Sequence, residues 1–133
     1  MNCTFELPVY CKKVPLTTLI SLEKRVKQVL IKQKKYMDKG YSLMKLANDL
    51  HTNTRYITAV LQWKHHKTYK DFINQLRVEK AKELLQTSRY ALLTEEEIAL
   101  LVGFSNRQSF YRSFLKYENK SFTSYKKDLK NTF

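Results

Sequence analysis

The chain has 133 residues, 25 Lys and Arg against 12 Asp and Glu, and a formal net charge of +13. With 43% hydrophobic residues it can bury the core of one domain or two very small ones. Two glycines and two prolines leave little room for hairpins, so an all-α protein with a polyanionic partner is expected.

Several classes fall away on further composition. No apolar run approaches the roughly twenty residues that span a bilayer, and Met1 to Leu16 lacks the pattern of a signal peptide, so a cytoplasmic protein without membrane contact is expected. Cys3 and Cys11 match no zinc or redox spacing, and His51, His65 and His66 have no cysteine nearby. Free thiols, surface histidines and no metal follow. No nucleophile, base and orienting group recur at a recognisable spacing, and no glycine loop could cradle a phosphate. Neither an enzyme nor a cofactor is expected.

Residues 1–18 have mixed composition and no clear period, and read as a leader or linker. From Leu16 a helical pattern takes over, with Leu19, Ile20, Leu22, Val26, Val29, Leu30 and Met37 near three-to-four spacing. It predicts one helix ending around Gly40. Positive charge is densest in that stretch, from Leu19 to Gly40.

Ser42 is a candidate N-cap for a helix from Leu43 to Leu50, with Leu43, Leu46, Ala47 and Leu50 on one face. His51-Thr-Asn breaks the pattern, and Asn53 can cap a helix from Thr54 to about His65. Its inner face is expected to hold Ile57, Val60, Leu61 and Lys64, and its outer face Arg55, Thr58, Ala59 and Gln62.

Thr68, with Asp71 three residues on, opens a long helix through Phe72, Ile73, Leu76, Val78, Ala81, Leu84 and Leu85 that stops near Thr87. Thr94 and Glu97 form a capping box before Ile98, Ala99 and Val102, with three acids at the positive helix end. Gly103 turns the chain. Ser105 and Gln108 are expected to form another capping box. The helix they launch has Phe110, Phe114 and Tyr117 inside and Arg107, Gln108, Tyr111 and Arg112 outside. Ser121 caps a last helix containing Tyr125 and Leu129.

The segments around Leu46–Leu61 and Ile98–Phe114 are unequal copies of one pattern. A helix-turn-helix needs a small residue where its helices cross, a tight turn, and a second helix with hydrogen-bonding side chains outward. Ala47 and Ala99 meet the first need. Gly103 meets the second, since positive φ costs glycine nothing, whereas His51 stands at the comparable place in the first copy. Thr68-Tyr-Lys-Asp-Phe72 after the first copy is echoed by Ser121-Phe-Thr-Ser-Tyr125 after the second. The registers differ by one residue between alanine and recognition helix, so the repeat is quasi-equivalent.

From about Leu19 to Leu129 the chain resembles the DNA-binding domain of the AraC/XylS transcription regulators. The matching residues are Leu46-Ala47 and Ile98-Ala99, Val102-Gly-Phe-Ser105 followed by Phe110, Arg112 and Phe114, and the run Leu76-Arg-Val-Glu-Lys-Ala-Lys-Glu-Leu-Leu85. The resemblance implies about seven helices in homeodomain-like units: helix-turn-helix subdomains at 19–66 and 89–133 joined by a connecting helix at 67–88. Both recognition helices would enter neighbouring major-groove segments of double-stranded DNA. The family usually has glycine where His66 and Asn119 stand, proline where Phe122 stands and often arginine where Ala59 stands. With Ala59, the first head contributes fit and phosphate contacts more than base choice.

Carried across residue by residue, the resemblance assigns DNA contact to Arg55, Thr58, Ala59 and Gln62 in the first head and Arg107, Gln108, Tyr111 and Arg112 in the second. The side-chain chemistry favours the second set, because Arg pairs with guanine and Gln with adenine through two hydrogen bonds. Candidate phosphate contacts are Ser42, Lys45, Asn53, Lys64, Lys67, Ser105, Lys116 and Lys120, from helix starts and basic side chains. Trp63 and the tyrosines sit at helical spacing that suits packing better than stacking on single strands. No small-molecule ligand is expected. Besides a sequence-specific regulator, the composition admits a non-specific nucleoid protein or a module docking on RNA polymerase or another regulator.

Overall fold

The computed structural model describes residues 15–132. Seven α-helices succeed one another among them: α1 Leu16–Lys27, α2 Leu43–Asp49, α3 Thr54–His65, α4 Tyr69–Leu85, α5 Glu95–Leu101, α6 Arg107–Glu118 and α7 Phe122–Thr132. None of the described residues lies in a strand, so the all-α expectation holds. Cys3, Cys11 and most of the 1–18 leader fall outside the described residues. Two compact units divide the described residues, one with those up to Lys35 and Gly40–Phe72, the other with Tyr36–Lys39 and the described residues from Ile73 on.

In the first unit α1 buries Leu19, Leu22 and Val26 and places Lys24, Arg25 and Lys27 in its last turn, where cations offset the helix dipole. It does not run to Gly40 as its periodicity suggested. After Lys27 the coil widens into one π turn, Gln28–Lys32, with the Gln33 amide donating to Gln28 O at 3.0 Å. Lys34 then takes φ 58°, and a short 3₁₀ turn, Lys35–Met37, follows. The reason is a divided allegiance: Leu30 is fully buried in the first unit and Tyr36 is buried in the second. A single helix, which places residues six apart on different faces, does not serve both.

Ser42 caps α2 as expected, accepting from the Lys45 amide at 3.1 Å, and Asn53 caps α3, accepting from Tyr56 at 3.0 Å. Between them His51 takes φ 54° and the Thr52 amide reaches back to Ala47 O at 3.0 Å. Leu46, Ala47, Leu50, Ile57, Val60 and Leu61 are buried, with α3 packed against both α1 and α2. The carboxylate of Glu23 is also buried, with His65 Nε2 at 3.0 Å and Lys27 Nζ at 3.5 Å. His65 is therefore not a surface histidine, its ring lying 4.8 Å from that of Phe72. Lys64, expected on the inner face, is exposed, its ammonium 5.9 Å from the Trp63 ring. Its long stem and charge favour water over the apolar stripe beside it. α3 ends on His66 in the left-handed region at φ 57°.

Helix α4 opens at Thr68, whose hydroxyl accepts the Asp71 amide at 3.1 Å. In the second unit Val78, Ala81 and Leu85 join Ile98, Ala99 and Val102 around an aromatic cluster. Phe110 is at its centre, with ring centroids 5.3 Å from Phe104, 5.6 Å from Phe114 and 5.3 Å from Phe122. Such tilted and edge-on pairs add attraction beyond their buried area. Thr94 and Glu97 make the reciprocal capping box of α5. Across the following turn the Phe104 amide reaches Ala99 O at 2.9 Å, as Thr52 reaches Ala47 in the first unit.

Gly103 occupies this turn at φ 111°, and a Cβ there would stand 2.8 Å from Met37 O and 2.9 Å from Arg77 Nε. The glycine thus admits both an unusual backbone angle and a close backbone neighbour. Arg77 holds that neighbour in place, donating from Nε to Tyr36 O at 2.6 Å and from Nη2 to Asp38 O at 3.3 Å. Burial raises the pKa of the Tyr36 phenol above its ordinary value.

The cap of α6 is Asn106, not Ser105: its carboxamide accepts the Ser109 amide at 2.8 Å. The cap lies six residues after Ala47 in the first unit and seven after Ala99 in the second. Ser105 is the extra residue, exposed in the turn, which accounts for the one-residue shift between the copies. α6 closes on Asn119 at φ 59°, and Ser121 caps α7 through the Ser124 amide at 3.1 Å.

Candidate DNA interface

The four outward residues assigned to α6 come together. Arg107, Gln108, Tyr111 and Arg112 are all exposed and line one surface hollow of about 320 Å³. They fall within the first two turns of the helix, opposite a face anchored by Phe110 and Phe114. The aromatic cluster fixes the helix, and the helix fixes the spacing of the polar heads. Arg107 lies beside Glu95 of α5, its Nε 3.4 Å from Oε2.

Helix α3 presents less. Arg55 and Thr58 are exposed and Gln62 is half-buried, but Ala59 is fully buried. That overturns its place on the outer face. A methyl group one turn from Arg55, Tyr56, Gln62 and Trp63 is flanked by four longer side chains, so it offers no contact surface of its own.

The candidate phosphate contacts differ in their surroundings. Ser42 and Asn53 spend their side chains as caps. Ser105 caps nothing and is exposed in the turn. Lys45 is exposed and donates to Gly40 O at 3.0 Å, and Lys67 is half-buried. Lys116 is exposed, 5.5 Å from the Tyr117 ring. Lys120 pairs with Asp128 at 2.5 Å, a hydrogen bond that raises the lysine's pKa. A phosphate at Lys120 therefore competes with a carboxylate already in place.

Two features escaped the sequence reading. Arg77 appeared there only as part of a matching run, yet it fastens the Tyr36–Lys39 segment to the second unit. Its partners are backbone carbonyls, which carry no sequence signature. Glu95 read as one of three acids at a helix start, and nothing in its spacing pointed to Arg107. The three acids and the arginine were all visible; their meeting required the turn.

Among the described residues no group of His, Cys, Asp or Glu could hold a metal ion, and no helix is long and apolar enough to cross a membrane.

Comparison with known proteins adds to this geometry. The profile of a helix-turn-helix domain family matches residues 46–128. Among solved structures, the C-terminal domain of the two-component response regulator yesN from Fusobacterium nucleatum is similar at 26% identity and a TM-score of 0.69, over 80% of this chain and 98% of that one. The C-terminal domain of AraT, a response regulator from Geobacillus stearothermophilus, is 25% identical with a TM-score of 0.70, over 80% and 84% of the two chains. A Listeria innocua protein of unknown function is 30% identical with a TM-score of 0.66, over 78% and 93%. No curated protein matches the sequence. With two helix-turn-helix units and more than half of its length inside the matched profile, the chain belongs to the AraC/XylS family of DNA-binding helix-turn-helix transcription regulators.

Proposed function

We propose that the chain regulates transcription by reading a defined double-stranded site, with α3 and α6 each entering a major-groove segment and α6 making most of the choice among bases. The observation that carries this reading is the cluster of Arg107, Gln108, Tyr111 and Arg112 around one exposed hollow on a single helix. Arginine and glutamine there match the paired acceptors of guanine and the donor–acceptor edge of adenine. Two arginines with no acid among the four also favour the phosphates on either side of the groove. Helix α3 supports the same footprint through Arg55, Thr58 and Gln62, with Ala59 acting as packing.

Selection of bound sequences from a random duplex pool tests the proposal. A sequence-specific protein enriches one asymmetric site, and its preference over random duplex persists at salt that removes non-specific binding. Replacing Arg107, Gln108 and Arg112 together by alanine should abolish that preference. Enrichment of no site, or unchanged affinity of the triple variant, overturns the reading in favour of a non-specific or protein-binding role.

A further inference from the structure

Glu95 is an unusual residue to find where it stands. Its side chain is only 12% exposed, its Oε1 is buried without a hydrogen-bond partner, and its Oε2 faces Arg107 Nε at 3.4 Å. A desolvated carboxylate costs stability, and one beside a DNA-facing helix repels phosphate.

Local structure supplies no reason for it. The start of α5 is already satisfied by the reciprocal box of Thr94 and Glu97, and Glu96 and Glu97 already place acids at the positive end of the helix. The repeat supplies an internal control. Counted back from Ala47 and from Ala99, Glu95 corresponds to the half-buried Leu43; counted from the two asparagine caps, Arg107 corresponds to Thr54. The first unit manages this corner with an apolar residue and no arginine, so the ion pair is peculiar to the second.

We propose that Glu95 is a positioning residue for base recognition, gripping Arg107 by its Nε edge so that the paired Nη1 and Nη2 groups point outward at a guanine. The inference rests on the assignment of Arg107 to a base. A guanidinium has five N–H donors in a rigid plane, and occupying the Nε–H leaves the two terminal nitrogens as the free fork. Arg107 is 61% exposed and would otherwise sample many rotamers, which docking must freeze. The buried carboxylate narrows that search before DNA arrives. It also cancels part of the arginine's attraction for any phosphate, which lowers non-specific binding and leaves guanine pairing, where both terminal nitrogens are used.

The test uses the full chain and the duplex recovered by selection. R107A first identifies the base pair whose preference it erases. E95Q and E95L are then measured on that duplex and on its three substitutions at the identified pair, with thermal melts to confirm folding. Both variants are expected to lower the preference for guanine at that pair about tenfold while preferences elsewhere persist, and non-specific affinity stays level or rises. In the R107A background, E95Q is expected to change nothing at that pair. E95L fills the pocket with an apolar side chain, so the measurement stands if E95Q folds poorly. If R107A erases no preference, the assignment of Arg107 falls and this proposal with it. If R107A erases one and the folded Glu95 variants keep it, the role of Glu95 alone is overturned.

Discussion

The two helix-turn-helix units reach the same turn by different means. In the first, His51 adopts φ 54° and α1 clamps the corner, with Arg25 Nη2 donating to Leu50 O at 2.5 Å and Glu23 pairing with His65. In the second, Gly103 adopts φ 111° and the adjoining core is a cluster of phenylalanines. A histidine in the left-handed region pays a steric penalty that glycine avoids. The difference teaches that polar clasps and aromatic packing are alternative ways to hold one geometry, and that the aromatic way leaves the arginines and glutamine of α6 exposed on its outer face.

The comparison can be broken first in the aromatic cluster. Phe110→Ala should cost about 3–5 kcal/mol, because Phe104, Phe114 and Phe122 each lose their contact with its ring, and chemical denaturation checks it. A cost below that of Leu61→Ala in the first unit would show that the phenylalanines are not the stronger anchor. Gly103→Ala should cost about 2–4 kcal/mol from combined backbone strain and approach to Met37 O, read by the same denaturation curves. The reciprocal change His51→Gly should be neutral or gain a few tenths of a kcal/mol, since relieved strain is offset by glycine's greater freedom when unfolded.

On DNA the units should part again. Gln108→Ala should remove about 1–3 kcal/mol of discrimination at one base pair, whereas Arg55→Ala should weaken all sequences alike and reduce the salt slope by about 1. Titrations at several salt concentrations separate the two behaviours, and identical profiles would erase the proposed division of labour.

A pH-dependent effect concerns the pair Lys82 and Glu118, whose atoms lie 2.7 Å apart in the second unit. The hydrogen bond that Lys82 donates to Glu118 raises the pKa of Lys82 above 10.5. A raised lysine contributes stability that is complete below its unfolded pKa and is lost as pH climbs through the folded value. Glu118→Gln should therefore cost about 1 kcal/mol at neutral pH, and the gap from the parent chain should narrow above pH 10.5 in thermal melts.

Local signals made much of this architecture legible. Ser42, Asn53, Thr68, Thr94 and Ser121 all lie at the helix starts that their side chains predicted, because capping is decided by a few neighbouring residues. Where the sequence misled, a longer-range contact had intervened. The apolar period through Met37 concealed a change of unit between Leu30 and Tyr36, and the polar pattern around Ala59 concealed its burial. At Ser105 two good caps stood side by side, and the turn selected Asn106. Of the α6 site, the outward face was readable from helical spacing; the carboxylate beside Arg107 was not, since its partner lies across the turn.

That added serine sets the rule for exchanging residues between the heads. Aligning the copies on their alanines pairs Arg55 with Arg107, a likeness that places the two arginines at different positions along their helices. Aligned on Asn53 and Asn106, Arg55 corresponds to Gln108, Thr58 to Tyr111 and Ala59 to Arg112. Each residue of error turns a helical side chain by about 100°. A graft of the exposed α6 face onto α3 must therefore be phased from the asparagines, and one phased from the alanines would put Tyr111 and Arg112 at the buried positions of Ala59 and Val60.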